Sequence, residues 1–119
     1  MTGQFLPPEW VLLVTDDAEG GRLAAALTAE SMSVRLASDP QSVDDLLHGR
    51  PPAAAVVDID LPLSAAIVST LATRHIHCVL IGSNLTALRR FQSLVPTLIE
   101  KPVGLRAFTR TVDGLLGRR

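Results

Sequence analysis

One hundred and nineteen residues make a single domain at the usual ~100–200 residues per domain, and 47% hydrophobic with 19% charged residues is the composition of a chain that packs a core. A net charge of -1, with 3% aromatic residues and no Tyr, leaves neither the basic surface nor the stacking platform that direct nucleic-acid binding needs. The single Cys78 excludes an internal disulfide and fits a reducing compartment, and there is neither a signal-peptide pattern nor an apolar run of ~18 residues, so the expectation is a soluble cytoplasmic domain with no membrane segment.

Residues 1–9, with Pro7-Pro8, read as an arm ahead of one domain over 10–119. Val11–Val14 is a continuous apolar run, the mark of a strand covered on both faces, and Thr15-Asp16-Asp17 ends it. Leu23, Ala26 and Leu27 form a helical stripe that begins near Gly20-Gly21 and runs to about Glu30. Ser33–Ala37 alternates weakly and predicts a second strand. Asp39-Pro40 opens a helix with Val43, Leu46 and Leu47 on one face, and Gly49 is expected to stop it before Pro51-Pro52. Ala53–Val57 is a second wholly apolar run, ended by Asp58-Ile59-Asp60, and Leu61-Pro62 leads into a helix carrying Ile67, Val68 and Leu71. Cys78–Ile81 is a third such run, ended by Gly82-Ser83-Asn84. Leu85, Leu88, Phe91 and Leu94 then predict a helix of about three turns closed by Pro96. Thr97–Ile99 predicts a short strand ending at Glu100-Lys101-Pro102, and Leu105, Phe108, Val112 and Leu115 a final helix. Five strand–helix alternations mean right-handed crossovers and a parallel sheet covered on both faces, with the three apolar runs as adjacent central strands.

In open α/β sheets, ligands sit beyond the carboxyl ends of the strands. The first strand delivers Thr15, Asp16 and Asp17 there, the second Ser38 and Asp39, the third Asp58 and Asp60, the fourth Ser83, and the fifth Lys101. Lys101 is the only Lys among eleven basic residues; the other ten are Arg. Each Asp or Ser taken singly is an ordinary turn or cap residue. Agreement across several strands points further. Clustered carboxylates ionise together only with a cation, an all-oxygen set suits Mg²⁺, and a carboxylate can attack phosphorus to give an acyl phosphate while a hydroxyl and an ammonium hold the transferred oxygens.

From Val11 onward the chain resembles the receiver domains of two-component response regulators. Val56-Val57-Asp58-Ile59-Asp60-Leu61-Pro62 is similar to their phosphoacceptor segment, an Asp four residues before a Pro; Lys101-Pro102 resembles their Lys-Pro, Ser83 their fourth-strand Ser/Thr, and Asp16 the second residue of their acidic pair. The resemblance implies a flavodoxin-like, doubly wound five-stranded parallel sheet of order 2-1-3-4-5 with helices on both faces. It implies Asp58 as phosphoacceptor, Lys101 and Ser83 as groups for the phosphoryl oxygens, and Mg²⁺ on Asp16, Asp58 and the backbone carbonyl of Asp60. It implies a histidine kinase or phosphotransfer protein as donor and a protein target as reader, without catalytic turnover, and it allows a homodimer. With no output domain after the last helix, signalling would run through protein–protein contact. The departures are Thr15 for the first acid of the pair, a second acid at Asp60, Asn84 where a small residue is usual, no Gly within Leu63–Ile67, 18 residues from Ser83 to Lys101, and Leu98 for the aromatic switch residue. An exposed Leu98 would suit a docking or dimer surface.

Two other functions fit parts of the pattern. A degenerate receiver would be a phosphorylation-independent interaction module, as Thr15, Asn84 and Leu98 suggest. Asp58-x-Asp60 after an apolar strand, followed in order by Ser83 and Lys101, also resembles a haloacid dehalogenase-type phosphatase; that family needs a Thr after the second Asp and an acidic pair after the Lys, and here only Asp113 follows. His75 and His77 read as loop residues at the opposite edge, His48 as a helix-end residue, and Cys78 as core. Trp10 reads as intramolecular packing, and Arg89, Arg90, Arg106 and Arg110 as solvated helix faces.

Overall fold

The computed structural model describes residues 9–95 and 97–117. Five strands alternate with five helices: β1 Trp10–Val14, α1 Asp17–Ala29, β2 Ser33–Ala37, α2 Pro40–Leu47, β3 Ala54–Asp58, α3 Ser64–Thr73, β4 Cys78–Gly82, α4 Leu85–Arg89, β5 Leu98–Glu100 and α5 Leu105–Leu116. All pairings are parallel and the order is β2-β1-β3-β4-β5. The three apolar runs are therefore the adjacent central strands, and every residue of β1, β3 and β4 is buried. β2, at one edge, buries only Ala37 fully, which explains its weak alternation. The expected arm lies outside the described residues apart from Glu9.

The two-residue period of the strands builds two cores. Leu12, Val14, Ala55, Val57 and Leu80 meet Val43 and Leu47 of α2, Ile67, Val68 and Leu71 of α3, and Leu88 of α4. Val11, Leu13, Val56, Val79 and Ile81 meet Leu23 and Leu27 of α1 and Phe108 and Val112 of α5. Each large side chain so buried contributes about 1.5–3 kcal/mol. Trp10 packs into the first core, donates its indole N–H to the Arg50 carbonyl at 2.9 Å, and carries the Arg35 guanidinium 5.6 Å from its ring centre.

Local chemistry sets the helix ends. Asp39 and Ser42 form a reciprocal capping box on α2, with Pro40 in the first turn. α2 ends at Leu47 with His48 as its C-cap, just before Gly49, and the His48 ring meets the Asp44 carbonyl at 2.8 Å. α1 and α3 turn left-handed just past their caps, at Ser31 and His75, and Met32 and Ile76 donate back to Leu27 and Leu71. His75 is thus a helix-stop residue.

Three expectations need correction. The helix after β4 has five residues rather than three turns, because Arg90, Phe91 and Gln92 bond three residues back and wind the chain into tight turns. That winding points Val95 inward and leaves Leu94 55% exposed; Pro96 itself lies outside the described residues. The last strand sits one residue later than expected, at Leu98–Glu100. Leu98 is half-buried against the first core, opposite Leu80, because strand parity turns it inward, so it is no free docking patch.

Candidate functional site

The parallel register brings four strand ends level. Val14 faces Val57, Asp58 faces Ile81, and Gly82 faces Glu100, so Thr15, Asp58, Ser83 and Lys101 emerge along one edge. Asp58 is the final residue of β3 and is 1% exposed. A side chain so buried needs hydrogen-bond or ion-pair partners for its oxygens. Lys101 Nζ lies 2.7 Å from Asp58 Oδ2. The Thr15 hydroxyl donates to the same oxygen at 3.1 Å, and the Asp60 backbone N–H to Oδ1 at 2.9 Å. The Lys101 backbone N–H bonds the Gly82 carbonyl at 2.8 Å, which carries the β4–β5 ladder up to the ammonium. The Lys101–Pro102 peptide is cis.

Asp60 is the second acid at this edge. Its carboxylate takes Lys101 Nζ at 3.1 Å and the Ser83 backbone N–H at 3.1 and 3.3 Å. Partial burial alone would raise its pKa, but hydrogen bonds from Lys101 and from Ser83 outweigh that and hold the carboxyl below its ordinary value. Lys101 is the mirror case: partial burial would lower it, and its bonds to Asp58 and Asp60 raise it instead. One ammonium thus joins two carboxylates.

Asp16 is placed differently. It caps α1, accepting the Glu19 backbone N–H at 2.8 Å, and it is exposed. Asp17 lies in the first turn of α1 and Asp39 caps α2. Asn84 caps α4 through the Ala87 N–H at 3.1 Å and so does not fill the site. Among the described residues no three Asp, Glu, His or Cys side chains converge on one point. The donors still suit a hard cation. Asp58 Oδ1 has one lone-pair position left beside the Asp60 N–H, and one Asp16 oxygen is not used by the cap. Those two carboxylates, the Asp60 carbonyl and water are what Mg²⁺ would have, one carboxylate fewer than an acidic pair supplies.

Three contributions were not anticipated from the sequence, where Thr15 stood only as a departure at the acidic pair. Thr15 is 3% exposed and acts as a hydrogen-bond donor, a role visible only once β1 and β3 are known to be neighbours. Gly82 is required for close approach, since a Cβ there would stand 2.7 Å from Ile59 Cγ1. Arg22 holds Glu19 through two bonds of 2.9 and 3.0 Å and reaches the Val103 carbonyl at 3.2 Å, tying α1 to the segment after β5. Those bonds, together with lesser contributions from the charges of Arg22 and Lys101, hold the Glu19 carboxyl below its ordinary value.

No family model and no curated protein matches the chain. Solved structures do. A response regulator receiver protein from Burkholderia phymatum is 22% identical with a TM-score of 0.78, over 93% of this chain and 97% of that one. A response regulator from Thermotoga maritima is 14% identical at 0.81, over 93% and 99%. NtrX from Brucella abortus, solved with ADP, is 21% identical at 0.83, over 93% of this chain and 26% of that protein, so the chain spans about a quarter of its length. At these identities the likeness establishes the fold, the doubly wound five-stranded sheet of receiver domains.

Proposed function

We propose that this receiver-fold chain is a signalling module in which Asp58 accepts a phosphoryl group from a histidine kinase or phosphotransfer protein, and a protein partner reads the altered edge. The observation that carries this reading is the 2.7 Å contact of the only lysine with a carboxylate that is 1% exposed, at the end of a central strand. A nucleophilic carboxylate must be held in place; Lys101, Thr15 and the Asp60 N–H hold Asp58 by both of its oxygens. Asp58 would attack phosphorus, a new carboxylate–phosphorus bond would form, and the donor group would leave with the electron pair. Lys101 and Ser83 are the groups in reach of the transferred oxygens. Mg²⁺ on Asp16, Asp58 and the Asp60 carbonyl would neutralise charge on those oxygens. Asp58 is consumed as acceptor, so the module is not an enzyme in the sense of turnover.

Incubation with acetyl phosphate, with and without Mg²⁺, followed by intact mass, tests this. The expected result is a gain of one phosphoryl group, larger with Mg²⁺ and absent in Asp58→Asn. No gain under either condition overturns it in favour of the second reading, a phosphorylation-independent interaction module. One observation favours that second reading: Asp60 already occupies Lys101 and Ser83. The phosphatase reading loses its support in α5. Asp113 stands eight residues past Leu105, roughly 12 Å along the helix at ~1.5 Å per residue, so it brings no acid to the strand ends.

A further inference from the structure

We infer that the Asp60 carboxylate is a resident occupant of the anion subsite, standing where oxygens of an incoming phosphoryl group would bind, so that it must swing away before the site can take an anion. Its two contacts define the subsite. Ser83 N–H, at 3.1 Å, points from the end of β4 into the site, and Lys101 Nζ, at 3.1 Å, points from the end of β5. An N–H and an ammonium converging from two strand ends make an oxyanion-binding pair, and in this chain the anion they hold is supplied by the chain itself. The geometry permits exchange. Asp58 is 1% exposed and locked by three donors, whereas the Asp60 side chain is 35% exposed. Asp60 is therefore the movable carboxylate and Asp58 the fixed one. An external anion must displace a tethered one that carries its own charge into the pocket, and rotation of Asp60 into solvent frees both donors without breaking any bond to Asp58.

Asp60 is accordingly a positioning and gating residue, acting through Ser83 and Lys101. The binding half of this inference stands on the contacts alone; the kinetic half rests on Asp58 being the phosphoacceptor. The experiment separates them. The first measurement is the amide nitrogen–proton resonance of Ser83 during titration with inorganic phosphate, in wild type, Asp60→Ala and Asp60→Asn. Wild type should shift little, Asp60→Ala should saturate with a dissociation constant about tenfold lower or better, from loss of the competing charge-assisted bonds, and Asp60→Asn should fall between, since its amide oxygen still accepts from Ser83 but no longer pairs with Lys101 as an anion. Equal binding by all three, or no movement of Ser83 in any, overturns the inference. Asp60→Asn preserves the shape of the side chain and carries the test if Asp60→Ala does not fold. The second measurement is the rate of phosphoryl gain from acetyl phosphate. In that step an Asp58 oxygen bonds to phosphorus, the bond from phosphorus to the acetate oxygen breaks, and acetate departs with the electron pair. Asp60→Ala should gain the group about tenfold faster than wild type. Tighter phosphate binding in Asp60→Ala without any phosphoryl gain would leave the gate standing and remove the proposed function. Phosphoryl gain at the same rate in wild type and variant would leave the function standing and remove the gate.

Discussion

The two edges of this sheet are built from the same apolar strands and end in opposite chemistry. At the carboxyl edge, Asp58, Asp60, Thr15 and Lys101 share bonds of 2.7–3.1 Å. At the amino edge, His75, His77 and Cys78 line a cavity with Ile76, Val95 and Leu115, and no described ion pair involves them. The Cys78 thiol, buried in apolar surroundings, is pushed up to about 12 and donates only to the Ile76 carbonyl at 3.3 Å. Reactive side chains alone do not make a site. The carboxyl edge has mutually dependent charges on adjoining strand ends, and the amino edge has polar residues that helix-stopping and packing explain.

The difference can be broken most directly at Lys101. Lys101→Met leaves Asp58 as a buried unpaired carboxylate, and the expected loss in urea unfolding is about 3–5 kcal/mol, toward the lower end because Lys101 is 22% exposed. At the other edge, His77→Ala should stay within about 0.5 kcal/mol. A similar loss from both would dissolve the contrast. Thr15→Val keeps the shape and removes a bond to a charged acceptor, and should cost about 1.5–3 kcal/mol. Backbone strain, by contrast, should be shared by the two edges. Leu63, at the start of α3, and His75 both sit at positive φ, 63° and 60°, and both are exposed. Glycine at either position should raise stability by about 1 kcal/mol, read as a higher Tm.

Two smaller effects concern titration. Asp60 is held below its ordinary value, so its contribution is present above the unfolded pKa and is lost as pH falls through the folded one. Acid unfolding of Asp60→Asn should therefore show a shallower loss of stability below about pH 4 than wild type does. Cys78 should resist iodoacetamide at pH 8, where about one thiol in ten thousand is ionised, and react only on unfolding. Rapid native alkylation would mean that the amino edge opens.

Much of the site was legible because strand ends can be read from apolar runs. Once Val11–Val14, Ala53–Val57 and Cys78–Ile81 are taken as neighbours, Asp58 and Ser83 fall on one edge, and Lys101 joins them once the short strand at Thr97–Ile99 is set beside the third run. The fifth-strand boundary and the length of α4 were less legible. Leu85, Leu88, Phe91 and Leu94 have helical spacing, but tight turns carry the same spacing for a few residues, and nothing local separates them. Leu98 was misplaced because its inward direction depends on register with Leu80.

The amino-acid sequence by itself determined the alternation of strands and helices, the central place of the three apolar strands, and the edge at which charge collects, since hydrophobic periodicity and cap chemistry are local and the crossover hand is general. Only the tertiary structure decided how that charge is shared. It turned Asp16 to a helix cap, made Thr15 a donor to Asp58, and set Asp60 on Ser83 and Lys101. Those choices depend on distances of a few ångströms between residues of different strands, and one buried carboxylate takes whichever partners the packing delivers.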